Sequence, residues 1–96
     1  MIYNFQCKVW KWNVGKASWF FVSVPVEKTK HIKQNNISKG YGMVRVLAKI
    51  GQTQWKTSVF YDSKKQCFLL PIKADIRRKS NIDDGSDIVV QIEILQ

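Results

Sequence analysis

The chain is short of acid. Seven Asp and Glu stand against 16 Lys and Arg, giving a formal net charge of +9 and a pI near 9.8. A surface this positive attracts nucleic acid or anionic lipid whatever its detailed shape. Histidine occurs once, at His31, inside a polar stretch, so a serine or cysteine nucleophile has no base that the sequence places beside it. Cysteine occurs twice, at Cys7 and Cys67, sixty residues apart and without a C-x-x-C pair. That excludes a zinc-ligand spacing and favours buried, reduced thiols over a disulfide framework. No run approaches 18 apolar residues, and MIYNFQCKVW lacks both a basic start and a long apolar stretch. A cytoplasmic protein that makes no use of a membrane is therefore expected. There is no low-complexity tract and no linker, so residues 1–96 are read as a single domain.

What the chain has is apolar residues at period two. A 45% apolar content with 12% aromatics suits a packed globule rather than a disordered chain. In IYNFQCKVW, Tyr3, Phe5, Cys7 and Val9 alternate with polar residues, as a strand with one wet face requires. A turn at Asn13–Lys16 leads to SWFFVSVP, with Phe20, Val22 and Val24 on one side, and the two segments read as a hairpin. After Pro25, VEKTKHIKQNN fits a short polar helix with Val26 and Ile32 as its inward contacts. MVRVLAKI and QWKTSVFY form a second hairpin about Gly51, followed by CFLLPI as a short buried strand. KADIRRKSN provides about two helical turns, and DIVVQIEIL closes with Ile88, Val90, Ile92 and Ile94 on one face.

A larger regularity contains these parts. A strand ending in proline, a short helix, a glycine-bearing turn and a strand occur in that order twice, and Pro25 and Pro71 lie 46 residues apart. This reads as an internal duplication with pseudo-two-fold symmetry.

Few motifs carry chemistry. Gly40-x-Gly42 feeds a strand, whereas a phosphate loop feeds a helix N-terminus, so the glycines are read as scaffold. Asp83, Asp84 and Asp87 crowd one turn without calcium-loop spacing, and Ser58 lacks the glycines of a nucleophile elbow. No catalytic residue, metal ligand or cofactor site is expected. Four tryptophans, Trp10, Trp12, Trp19 and Trp55, are interleaved with Lys8, Lys11, Lys16 and Lys56. Such rings either cap the ends of a small barrel or stack bases while lysines track a phosphate backbone. Arg77-Arg78-Lys79 is a second basic cluster, at a helix end. The plain reading of the charge is solubility, since 13 of the 16 cations are lysine.

Several blocks together resemble a known family. W-x-F-x-x-x-P at Trp19–Pro25, G-Y-G-x-V-x-V at Gly40–Val46, I-G-x-T-x-W-x-T-S-x-F at Ile50–Phe60, L-L-P at Leu69–Pro71 and I-R-R at Ile76–Arg78 are similar to the bacterial and archaeal family called domain of unknown function 1905. The sequence departs from that pattern at Tyr61, where proline is frequent, at Gln66, in place of a turn glycine, and at Ser86, which separates Gly85 from Asp87. LLPIKADIRRKSNIDDGSDIVVQIEI also looks like the half-motif of swapped-hairpin regulators of the AbrB and MazE kind. The resemblance implies a double-split barrel within one chain and transfers no DNA binding.

The expectation is thus an all-β, small double-split pseudobarrel of about six strands with two short helices, without catalysis. The leading function is a binding or accessory module whose basic face meets nucleic acid or another polyanion through Arg45, Lys56, Arg77 and Arg78. The alternatives are a small-ligand or enzyme-accessory module with a pocket of Trp19, Tyr41, Trp55 and Ser58, or a protein-interaction module. A monomer or weak homodimer is expected.

Overall fold

Val9 is where the first long alternating segment breaks. A computed structural model of the chain describes residues 1–35 and 42–95. In it the segment expected as one strand forms β1 (Ile2–Lys8) and β2 (Trp10–Val14), which Val9 alone separates. Val9 is buried, and both its backbone groups turn away to the far end of the chain. Its N–H donates to the Ser86 carbonyl and its carbonyl accepts from Gly85 N–H, each at 2.8 Å. The remaining elements are β3 (Ala17–Ser23), α1 (Val26–Asn35), β4 (Met43–Ile50), β5 (Thr53–Asp62), β6 (Cys67–Pro71), α2 (Ala74–Ser80) and β7 (Asp87–Ile94). The fold is mainly β. The seven strands form one antiparallel sheet in the order β1-β7-β4-β5-β6-β3-β2, curled into a half-barrel. Counting β1 and β2 as the halves of one bent strand recovers the six expected.

Two hairpins set the local register. β2–β3 and β4–β5 each turn through two residues, with Gly15 and Gly51 at the first loop position at φ 59° and 58°. A positive φ at that position is what a twist-compatible two-residue hairpin demands, and glycine adopts it without a Cβ clash.

Period-two burial then fills the curled interior. Phe20, Val22, Val44, Val46, Ala48, Val59, Phe68, Leu70, Val90 and Ile92 all point inward, joined by Ile32 of α1 and Ile76 of α2. Val26, expected to face inward, is instead exposed, and Thr29 takes a buried place on α1. The Thr29 hydroxyl donates to the Val24 carbonyl at 3.3 Å and accepts from Phe68 N–H at 3.1 Å. It satisfies two buried backbone groups where β3 passes β6, which offsets the desolvation of its own oxygen.

The duplication is written into the strand registers. β3 pairs with β6 through Val22↔Leu70 and Ser23↔Leu69, and β4 pairs with β7 through Val46↔Ile94, Leu47↔Glu93 and Ala48↔Ile92. Applying the 46-residue offset of the two prolines carries Val46↔Ile94 onto Ile92↔Ala48, and Val22↔Leu70 onto Phe68↔Val24. The latter pair is joined by a hydrogen bond from Val24 N–H to the Phe68 carbonyl at 2.9 Å. Ser23↔Leu69 and Leu47↔Glu93 map onto themselves and mark the pseudo-two-fold axis.

Gln66, in the turn between β5 and β6, sits at φ 55°. A non-glycine residue there carries roughly 1–2 kcal/mol of left-handed strain. Replacing it with glycine releases that strain but loosens the unfolded chain by about 0.4–1 kcal/mol. Gln66→Gly is therefore expected to hold or slightly raise the melting temperature, and Gln66→Val, β-branched, to lower it by about 4–8 °C per kcal/mol. Equal tolerance of both in a thermal melt would contradict this backbone.

Candidate functional site: a cationic cleft at the split in the sheet

The sheet splits where β6 ends. β6 has five residues and stops at Pro71, whose ring leaves no N–H to continue a ladder. β3 pairs with β6 over Phe21–Ser23, with one further bond from Ile72 N–H to the Phe20 carbonyl at 2.8 Å, so the part of the β2–β3 hairpin before Phe20 has no strand beside it on that side. β5 likewise pairs with β6 only over Phe60–Asp62, and its earlier residues pair with β4 alone. The hairpins lose their common neighbour, and α2 lies in the gap. There it is tied to β5 by a Ser80–Thr53 hydroxyl contact of 3.4 Å. An open cleft of about 850 Å³ remains beside it.

Each wall has its own chemistry. The β2–β3 hairpin supplies Trp12 and Trp19, cross-strand partners that are 55% and 53% exposed. These two indoles do not cap the barrel; they stand free. Trp10, one rung inward, is held by stacking on Phe21 at 5.0 Å between centroids and by donating from Nε1 to Ser23 Oγ at 3.0 Å. The β4–β5 wall supplies Arg45, Lys56, Ser58 and Phe60, which share the outer face because Arg45 pairs with Ser58 and the inward positions belong to Val44, Val46 and Val59. From α2 and the segment leading into it come Lys73 and Arg77.

Arg77 is fixed before any ligand arrives. Its guanidinium carbon lies 3.8 Å from the centroid of the Phe20 ring, and Nη1 donates to the Ile72 carbonyl at 2.6 Å. Lys11 Nζ lies 5.8 Å from the same centroid. A ring quadrupole that attracts two cations holds like charges nearer each other than water alone would favour.

Two sets of residues that the sequence kept apart thus meet. Arg45, Lys56 and Arg77, expected to meet a polyanion, line the same cleft as Trp19 and Ser58, expected to line a pocket. Arg78 does not line it and is exposed on α2. Trp55 points inward from β5 and packs against the core, with its Nε1 buried and without a hydrogen-bond partner among the described residues. Tyr41 lies outside the described residues. Trp12 was singled out only as one of four rings that cap or stack, and Phe60 and Lys73 were missed: Pro71 marks the end of β6, but which side chains meet across that end is set by the β3–β6 and β5–β6 registers, which no local pattern carries.

Other reactive groups lie elsewhere. Both cysteines are free. Burial, with the Asp87 carboxylate adding a smaller push, raises the Cys7 thiol from 9.0 to about 11. At neutral pH it is protonated and a poor nucleophile. His31 Nδ1 lies 2.7 Å from the Tyr3 hydroxyl, on α1 and β1 rather than in the cleft, and burial raises the Tyr3 phenol above its usual range. No three metal-ligating side chains gather among the described residues, and no helix there is long and apolar enough to cross a membrane. Because the folded chain holds the Cys7 proton more tightly than the unfolded chain, the stability this group contributes is complete below pH 9.0 and is lost as pH rises through about 11. Alkylation of the folded protein by iodoacetamide should therefore be slow at about pH 8 and fast only toward strong alkali. Equal rates for folded and urea-unfolded chains at that pH would contradict the assignment.

No curated protein matches the chain at a significant level. The family model described as "Domain of unknown function (DUF1905)" matches residues 5–92, from the middle of β1 to within β7, and so takes in both hairpins, both helices and every wall of the cleft. The chain therefore belongs to the DUF1905 family.

Proposed function

We propose that this chain is a non-catalytic binding or accessory module that holds nucleic acid in the cleft at the split. The observation that carries the reading is the charge of the walls: Arg45, Lys56, Lys73 and Arg77 line the cleft, and no Asp or Glu does. Among the described residues the one ion pair is Lys8 with Asp87, at 3.4 Å, so no internal acid neutralises these four cations. Concentrating like charge in a concave site opposes folding and favours a polyanion, whose condensed counterions are released when it binds. The protein would work in the cytoplasm, away from membranes, as a monomer or weak homodimer.

A second reading has one observation in its favour. The volume of about 850 Å³ falls in the range of small-molecule sites, and the Ser58 hydroxyl and the rings could orient a small anionic aromatic ligand. A mononucleotide binding as tightly as an oligonucleotide would select it.

The test is a titration of fluorescently labelled DNA and RNA oligonucleotides at rising KCl. Four phosphate contacts give a slope of log affinity against log salt of about −3. Arg45→Ala and Lys56→Ala should each flatten that slope by about one unit. Arg78→Ala, outside the cleft, should leave it nearly unchanged. Absence of binding at low salt, where counterion release is most favourable, would refute the reading.

A further inference from the structure

We infer that the occupant of the cleft is single-stranded nucleic acid, with bases stacked on the exposed rings of both walls and phosphates met by the cations that line it. This rests on the nucleic-acid reading above and adds to it which part of the polymer the cleft recognises. Cations alone attract any polyanion. What they do not account for is Trp12, Trp19 and Phe60, large apolar rings left 55%, 53% and 42% exposed beside them. Trp12 and Trp19 are paired across β2–β3, so their spacing is set by a ladder rather than by flexible loops. A paired-strand wall presents π-faces at fixed positions, and every base has a π-face to match. A duplex keeps its bases stacked against one another and offers this wall only phosphate and sugar. It would leave the indoles wet.

Arg77 strengthens the inference. One face of its guanidinium is covered by Phe20 and one of its donors is spent on Ile72, so a group that lines the cleft is held by two contacts within the chain. A fixed guanidinium can meet a phosphate with paired donors or stack on a base, at little further loss of side-chain freedom.

The internal symmetry argues for one such site per chain. Carried by the 46-residue offset, Arg45 becomes Gln91, Lys73 becomes Glu27 and Arg77 becomes His31. At the second split, after Pro25, these three equivalent positions therefore carry no Lys or Arg. That split is occupied by α1, whose Ile32 and Thr29 are buried and whose His31 meets Tyr3.

The experiment compares three probes on the full chain at low salt by intrinsic tryptophan fluorescence and by competition: an oligothymidine of about 15 nucleotides, a duplex of the same length, and inorganic polyphosphate. The oligothymidine should bind at least tenfold tighter than the duplex, at one oligonucleotide site per chain, and quench tryptophan emission. Trp19→Ala, at an exposed position, should weaken the oligothymidine about tenfold and leave polyphosphate unchanged, since one lost base stack is worth about 1–3 kcal/mol. Phe60→Ala is the second variant, on the other wall, with the same expectation. Duplex binding as tight as single-strand binding, or ring variants that leave oligothymidine affinity unaltered, would overturn the single-strand inference while the charge reading stood. Failure of all three probes to bind would instead remove the charge reading on which it rests.

Discussion

Everything in this fold depends on the one-residue connection at Val9. β1 and β2 are the two ends of the strand order, yet only Val9 lies between them in the chain. Seven strands laid flat would put their edges about 29 Å apart at about 4.8 Å per strand, and one residue reaches only about 3.5 Å. The sheet has to curl until its ends meet. The inward faces of all the strands then converge on one core, and Val9, bonded through both its backbone groups to the Ser86–Gly85 turn, fixes the start of β7 beside the bend.

Curling alone would give a plain barrel. The two prolines make it a split one. Pro71 ends β6 and Pro25 follows β3, so each half of the duplicated unit leaves the sheet early and sends a helix into the gap. The halves fill their gaps differently. α1, ten residues long, is anchored by Thr29 and Ile32, whereas α2 has seven residues, and beside it lies the cleft walled by Arg45, Lys56, Lys73 and Arg77. The scaffold supplies two equivalent places, and only at the one after Pro71 do the positions of Arg45, Lys73 and Arg77 carry cations, where their equivalents are Gln91, Glu27 and His31.

The legible part of this molecule is the part governed by periodicity. Alternation in Phe20–Val24, Val44–Ile50 and Ile88–Ile94 identified strands and their inward faces, and the spacing of Pro25 and Pro71 identified the duplication that the registers display. What alternation does not carry is where a strand bends or stops. Val9 continues the apolar pattern of β1 without a turn residue, so the break there, fixed by contacts with residues 85 and 86, has no local signal. Thr29 sits among lysines and reads as surface, because its partners Val24 and Phe68 are brought to it only by β3–β6 pairing. The site was half legible for the same reason. Arg45, Lys56 and Arg77 were marked by charge and Trp19 by its ring, but Trp55, one residue from Lys56, faces the core because neighbours on a strand point to opposite faces.

The central claim is that a duplicated barrel carries a single functional cleft, at the split after Pro71. Its most direct measurement is an amide and indole NMR titration of the full chain with an unlabelled oligothymidine. The account predicts shifts confined to the Trp12 and Trp19 indoles, to Ser58 and Phe60 on β5, and to the start of α2, with Glu27, His31 and Gln91 at the equivalent split unmoved. Shifts at the second split equal to those at the first, or shifts spread evenly over exposed lysines, would contradict it.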